Sequence, residues 1–198
     1  MYNAMLDRLP EDYCGWLIRT DYRIGVQIQL CISDPELSDS EKTGTALSLL
    51  YGNGIPDLQT ALEGLSWFMS CGNAPAASGG DDEPEVFSFE YDSARIVSAF
   101  RKVFGIDISR SKLHWFEFMP MLGDLTDTAF TNIINIRTTS ASEVSSQKRA
   151  EFMRMKKRFA LPNQYTQEEL ETITGLLEKV RGPATCPPEE EKSSNVWI

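Results

Sequence analysis

Apolar residues recur along this chain at spacings of three and four for most of its length, the signature of helices that bury one face. The first such run, "TDYRIGVQIQLCIS" (20–33), can be capped by Thr20 or Asp21. The preceding "YCGWLIRT" has the β-branched and aromatic content of a short strand or extended lead-in. Ser38, followed three residues later by Glu41, predicts a capping box for a second helix that ends near Tyr51. "YGNGIP" then turns the chain, with Pro56 placed to start the next element. In the third helix Leu58, Ala61, Leu62, Leu65, Phe68 and Met69 are expected on one face, with Gly72 as the stop.

"GNAPAASGGDDEPE" holds little that could be buried and predicts a mobile internal loop or linker over residues 72–86. "VFSFEYD" alternates enough for a short strand, able to pair with the one near Trp16. Asp92 is placed to cap a fourth helix bearing Ile96, Val97, Phe100, Val103 and Phe104, stopped by Gly105. A fifth begins at Ser109 or Ser111. A sixth, "TDTAFTNIINIRT", carries Phe130, Ile133, Ile134 and Arg137, and a seventh runs from Gln147 to Ala160 with Phe152, Met155 and Phe159 inward. An eighth opens at Thr166-x-x-Glu169, again a capping box, and shows Leu170, Ile173, Leu176, Leu177 and Val180. The expected architecture is mainly α: a compact single-domain helical bundle of about seven to eight helices with room for one small two-stranded β ribbon. The helical domain is expected over residues 1–181, and residues 182–198 as a flexible C-terminal tail.

Charge narrows the set of partners. The chain has 198 residues and a formal net charge of −10, which argues against nucleic acid as a general partner because phosphate binding needs a basic surface. Cys14, Cys31, Cys71 and Cys186 show no CxxC spacing, and one histidine cannot complete a Cys/His zinc site, so neither metal nor cofactor is expected. The opening "MYNAMLDRLPEDY" is polar and acidic, unlike a signal peptide, and no stretch is long and apolar enough for a bilayer. Cytoplasm is the expected location, with no membrane contact.

Candidate chemistry centres on "SKLHWFEFMPML", which holds the only histidine, His114. It could be a catalytic base oriented by Glu117, or a polar notch at the edge of a helix face made by Trp115, Phe118, Met119 and Leu122. No nucleophile accompanies it, and no phosphate loop, G-x-S-x-G or H-E-x-x-H is present. The acidic run Asp81, Asp82, Glu83 and Glu85 lacks the alternating ligands and glycine of a calcium loop. The residues favour a structural histidine in a protein that is not an enzyme. "QKRAEFMRMKKRFALP" is the one concentration of positive charge, with Lys148, Arg149, Arg154, Lys156, Lys157 and Arg158. It reads as the solvated side of an amphipathic helix or as a docking face for an acidic partner, which includes another copy of this chain.

These pieces, in order, resemble a bacteriophage family, gene product fifteen, encoded among the tail-morphogenesis genes of long, non-contractile-tailed phages and prophages. The resemblance rests on "TDYRIGVQIQLCISDPELSDSEK", "IPDLQTALEGLSWFMSCG", "FSFEYDSARIVSAFRKVFGIDIS", "LHWFEFMPMLGDLTDTAFTNIINIR" and "FMRMKKRFALP", spanning roughly Cys14 to Pro162. "WFxxCG", "FGID" and "MKKxxALP" are its most specific parts. The chain departs from it at Phe116, where members usually have a second Trp, and in its internal linker and C-terminal tail. The resemblance implies a non-enzymatic tail assembly chaperone that binds the tape-measure protein, the tail-tube protein, or both. A frameshift-related chaperone partner and a homo-oligomer are further implied associations. The alternative is a structural tail or neck component retained in the virion. No catalytic residues come with the family. Helix-in-groove binding would draw on Trp67, Phe68, Trp115, Phe116 and Met119, with Arg154, Lys156, Lys157 and Arg158 orienting the partner. Methionines in helices (Met69, Met119, Met121, Met153 and Met155) would suit a tolerant groove, and would equally suit an ordinary core.

Overall fold

Capping chemistry sets where most of the helices begin. In the structure, a computed structural model that describes residues 2–73 and 86–162, seven α-helices and one two-stranded ribbon are present among the described residues. The Asp21 carboxylate accepts from the Arg23 backbone N–H and opens α1 (Tyr22–Ser33). Ser38 and Glu41 form the expected capping box for α2 (Asp39–Tyr51), and Asp57 caps α3 (Leu58–Met69) through the Thr60 N–H. The Thr128 and Thr131 side chains do the same reciprocally for α6 (Ala129–Thr138). Gly105, at φ +70°, ends α4 (Ser93–Phe104) in the left-handed conformation that glycine adopts without a Cβ penalty. α5 spans Trp115–Gly123 and α7 spans Ser146–Phe159.

Three expectations change. The ribbon is a local hairpin, β1 (Asp12–Tyr13) against β2 (Trp16–Leu17), turned by Cys14 and Gly15 at φ +50° and +82°. Residues 86–92 do not join it. There the Asp92 N–H bonds the Ser88 carbonyl and the Ser88 N–H bonds the Asp92 carboxylate, a closed turn that leaves no extended strand. α5 starts at Trp115, several residues later than expected. Residues 107–111 close a turn of their own on the Asp107 carbonyl, and Leu113–His114 run extended beside α1's lead-in, with Tyr22 N–H to Leu113 O at 2.9 Å and Trp115 N–H to Thr20 O at 2.8 Å.

The buried stripe of α3 keeps Ala61, Leu65, Phe68 and Met69 of the one expected but turns away from Leu58 and Leu62. Ala61, Gly64 and Phe68 face inward, whereas Leu58 and Leu62 are exposed. The cause is close approach: a Cβ on Gly64 would lie 2.0 Å from the Tyr51 hydroxyl oxygen and 2.7 Å from the Tyr13 ring, so the smallest side of the helix takes the contact. Gly25 plays the same part in α1, where a Cβ would fall 2.2 Å from the Trp115 ring. Around these two contacts sits an aromatic core. Trp115, Phe68, Phe100 and Phe118 are fully buried, with Phe118 stacked on Phe100 at 5.2 Å and on Trp115 at 5.8 Å.

The chain divides after Leu161, and all of these elements belong to the unit Met1–Leu161. The expected eighth helix, the tail over 182–198 and the greater part of the internal loop (74–85) lie outside the described residues.

Candidate functional site

The residues expected to line a groove are divided by the fold into core and surface. Phe68 and Trp115 have no exposure and Phe116 has 5 %, so they fill this unit's own interior and present no open groove. Trp67 and Met119 are half-buried beside them. Tyr13 and Phe116 lie against Trp67, and Tyr2 lies against Phe116, each at 5.2 Å between ring centroids. The aromatic spacing marks a core because α1, α3, α4 and α5 all contribute to it, which satisfies the rings internally.

His114 is a helix cap. Its Nδ1 accepts the Phe116 N–H at 3.0 Å, and its Nε2 lies 2.9 Å from the Pro10 carbonyl oxygen, which it can only meet as donor. The ring is therefore the Nε2–H tautomer, assigned from these partners. Glu117 does not reach the ring: its carboxylate accepts the His114 backbone N–H at 3.1 Å and completes a capping box. Both ring nitrogens hold backbone groups, one at the start of α5 and one in the N-terminal segment.

The fold also holds an ion pair that spacing along the chain does not signal. Asp92 is fully buried and grips Arg137 in a bidentate pair, at 2.6 Å and 3.1 Å. Burial pushes the Asp92 carboxyl up, but bonds from Arg137 and the Ser88 N–H, with the charges of Arg137 and Arg95, outweigh it and hold the group below its ordinary value. Arg137 also donates to the Phe159 carbonyl at 2.6 Å and to the Val86 carbonyl at 3.2 Å. It thus ties α6, the start of α4, the segment entering it and the end of α7. Asp92, expected as a capping side chain, makes no cap hydrogen bond because Arg137 has claimed its oxygens.

α7 is where the positive charge sits, and it has no buried residue. Phe152, Lys156 and Phe159 turn inward and are half-buried, with Lys156 Nζ on the Thr139 carbonyl at 2.8 Å. Arg154, Lys157 and Arg158 are exposed, as are Met153 and Met155. The helix packs on α6.

The most exposed large apolar side chains lie where the sequence pattern did not place a surface. In the N-terminal segment Met5 is 93 % exposed, Leu6 82 % and Leu17 76 %, with Trp16 and Leu9 also open. Tyr2, Pro10 and Tyr13 anchor this segment to Phe116, His114 and Trp67, so its remaining apolar side chains point away from the core. The available signal was the apolar content of "MLDRLP" and "WL" in a stretch with no helical period. Elsewhere, an open cleft of about 580 Å³ is lined by Phe87, Leu122, Phe130, Ile134 and Asn135 among others. The Cys71 thiol, half-buried beside the Trp115 carbonyl, is pushed up to about 11 by desolvation. No helix among the described residues is long and apolar enough to cross a membrane, and none of their His, Cys, Asp and Glu side chains group as a metal site.

A family model described as Bacteriophage Gp15 protein matches residues 5–161. No curated protein and no solved structure matches the chain.

Proposed function

Since the chain belongs to the bacteriophage Gp15 family across residues 5–161, we propose that it works as a non-enzymatic tail assembly chaperone. In this reading it holds apolar helical segments of the tape-measure protein, the tail-tube protein, or both, in the host cytoplasm before the tail is complete. The observation that carries the reading is the N-terminal segment, whose Met5, Leu6, Trp16 and Leu17 stand open while the aromatic set is consumed by the core. Single exposed apolar residues are ordinary, but a run of them on a segment anchored at Tyr2, Pro10 and Tyr13 is a surface suited to docking. Each leucine covered by a partner contributes about 1.5–3 kcal/mol, enough for two or three to decide whether a complex forms. His114 serves as a cap in this reading and has no turnover to perform.

Co-expression with a tape-measure protein of a long-tailed phage that carries this family, followed by affinity capture, tests it. Wild type should keep the tape-measure protein soluble and bound, and the double variant Leu6→Glu/Leu17→Glu should lose both effects at an unchanged melting temperature. Equal capture by the variant, or none by wild type, would refute the reading. Mass spectrometry of purified particles separates it from a structural tail or neck role, for which the chain would be found at fixed stoichiometry.

A further inference from the structure

We propose that the outward face of α7 is a second docking surface, built for an acidic amphipathic helix of a partner protein. Residues 146–159 contain six cations, Lys148, Arg149, Arg154, Lys156, Lys157 and Arg158, against one carboxylate, Glu151. That is a net of +5 in a chain whose total is −10. Five of them carry no neutralising partner among the described residues: Lys148, Arg149, Arg154, Lys156 and Arg158 make no ion pair there, although other elements supply five such bridges. Those of them that are tied are tied to neutral groups, Lys156 to the Thr139 carbonyl, Arg149 to the Val144 carbonyl and Arg158 over the Phe159 ring.

The stripe has a shape as well as a sign. Ala150, Met153, Arg154, Lys157 and Arg158 stand at i, i+3, i+4, i+7 and i+8, one face of the helix, and all five are exposed. Phe152, Lys156 and Phe159 occupy the opposite side and hold α7 to the unit. Ala150 and Met153 make a low apolar spot next to three long cations. A facing helix with one apolar residue between carboxylates a turn apart matches this arrangement, each carboxylate meeting an arginine or lysine at the rim. Duplex nucleic acid fits it less well. No aromatic is exposed on α7 for stacking, and the rest of the chain is strongly anionic, which repels a phosphate backbone beyond one helix width. This surface is distinct from the N-terminal segment, so the two assignments stand or fall separately.

The full-length protein can be titrated against a fluorescein-labelled helical peptide of Glu, Leu and Ala with glutamates one turn apart, read by fluorescence anisotropy. A Gln-for-Glu peptide and a short DNA duplex serve as comparisons. The acidic peptide should bind, weaken steeply with added salt and outcompete both comparisons. Arg154→Glu/Lys157→Glu/Arg158→Glu should lose at least about tenfold in affinity, and should instead bind a lysine version of the peptide. Unchanged binding by that variant, or binding of DNA without binding of the peptide, would overturn the assignment. Should the triple variant melt early, Arg154→Gln and Met153→Ala replace it, each expected to weaken binding several-fold. No effect from either would be equally fatal.

Discussion

Replacing Arg137 with methionine removes four hydrogen bonds, two to Asp92 and one each to the Phe159 and Val86 carbonyls. It also leaves a carboxylate with no exposed surface to the Ser88 N–H and to Arg95, whose side chain is 38 % exposed. Breaking a buried pair from one side costs about 3–5 kcal/mol because the remaining charge stays desolvated. Arg95 keeps its 3.1 Å contact, which places the expectation near the lower bound, about 3 kcal/mol. For a chain of this size that is a fall in Tm of about 6–12 °C. Urea unfolding followed by far-UV circular dichroism would measure it. Asp92→Asn alone should also destabilise, while Asp92→Asn/Arg137→Met should cost clearly less than the two singles together. Trypsin adds a local readout: without the bond to Phe159, cleavage after Lys156, Lys157 or Arg158 should come earlier than in wild type. A single-variant cost below about 1 kcal/mol, or strict additivity in the cycle, would show that the pair does not hold α6, α4 and α7 together.

Acid should reveal the same pair. Because the folded Asp92 carboxyl lies below its ordinary value, its stabilisation is present above the unfolded value of about 4 and is lost as pH falls through the folded one; Arg137→Met should flatten that part of the stability profile. Gly25→Ala drives a methyl to 2.2 Å from the Trp115 ring and should destabilise by about 1–3 kcal/mol or more in thermal melts, and an unchanged Tm would refute the close packing of α1 on α5. His114→Ala should cost about 0.5–2 kcal/mol through the lost cap, with His114→Asn recovering part of it; equal stability of all three proteins would deny the cap. In the native protein Cys14, which is exposed, should react with a maleimide well before Cys71, whose thiol stands at about 11, and denaturant should erase the difference; peptide mass mapping would count the labels.

What could be read from the sequence was what a helix decides within one or two turns. Ser38 with Glu41, Asp21 before α1 and Gly105 after α4 are local chemistry, and the structure keeps all three. The basic helix falls within one residue of its expected limits for the same reason. What could not be read depends on elements remote in sequence. On α3 the expected Ala61, Leu65, Phe68 and Met69 do pack on the core, but Tyr51 and Tyr13, on other elements, select Gly64 over the larger Leu58 and Leu62. The pairing of Asp92 with Arg137 spans 45 positions and leaves no periodic trace. The aromatic positions were legible as helical faces, but whether such a face looks inward or toward a partner is set by how many neighbours converge on it. Here they close over Trp115 and leave the N-terminal leucines outside.

The His114 ring divides its labour in a way that bears on those leucines. Nδ1 belongs to the first turn of α5, whereas Nε2 belongs to the strand of chain carrying Met5 and Leu6. A partner that levered that strand off would break the contact at Pro10 yet leave the helix start fastened. The arm and the body are thus joined by a stitch that can be undone from one side without unravelling the other.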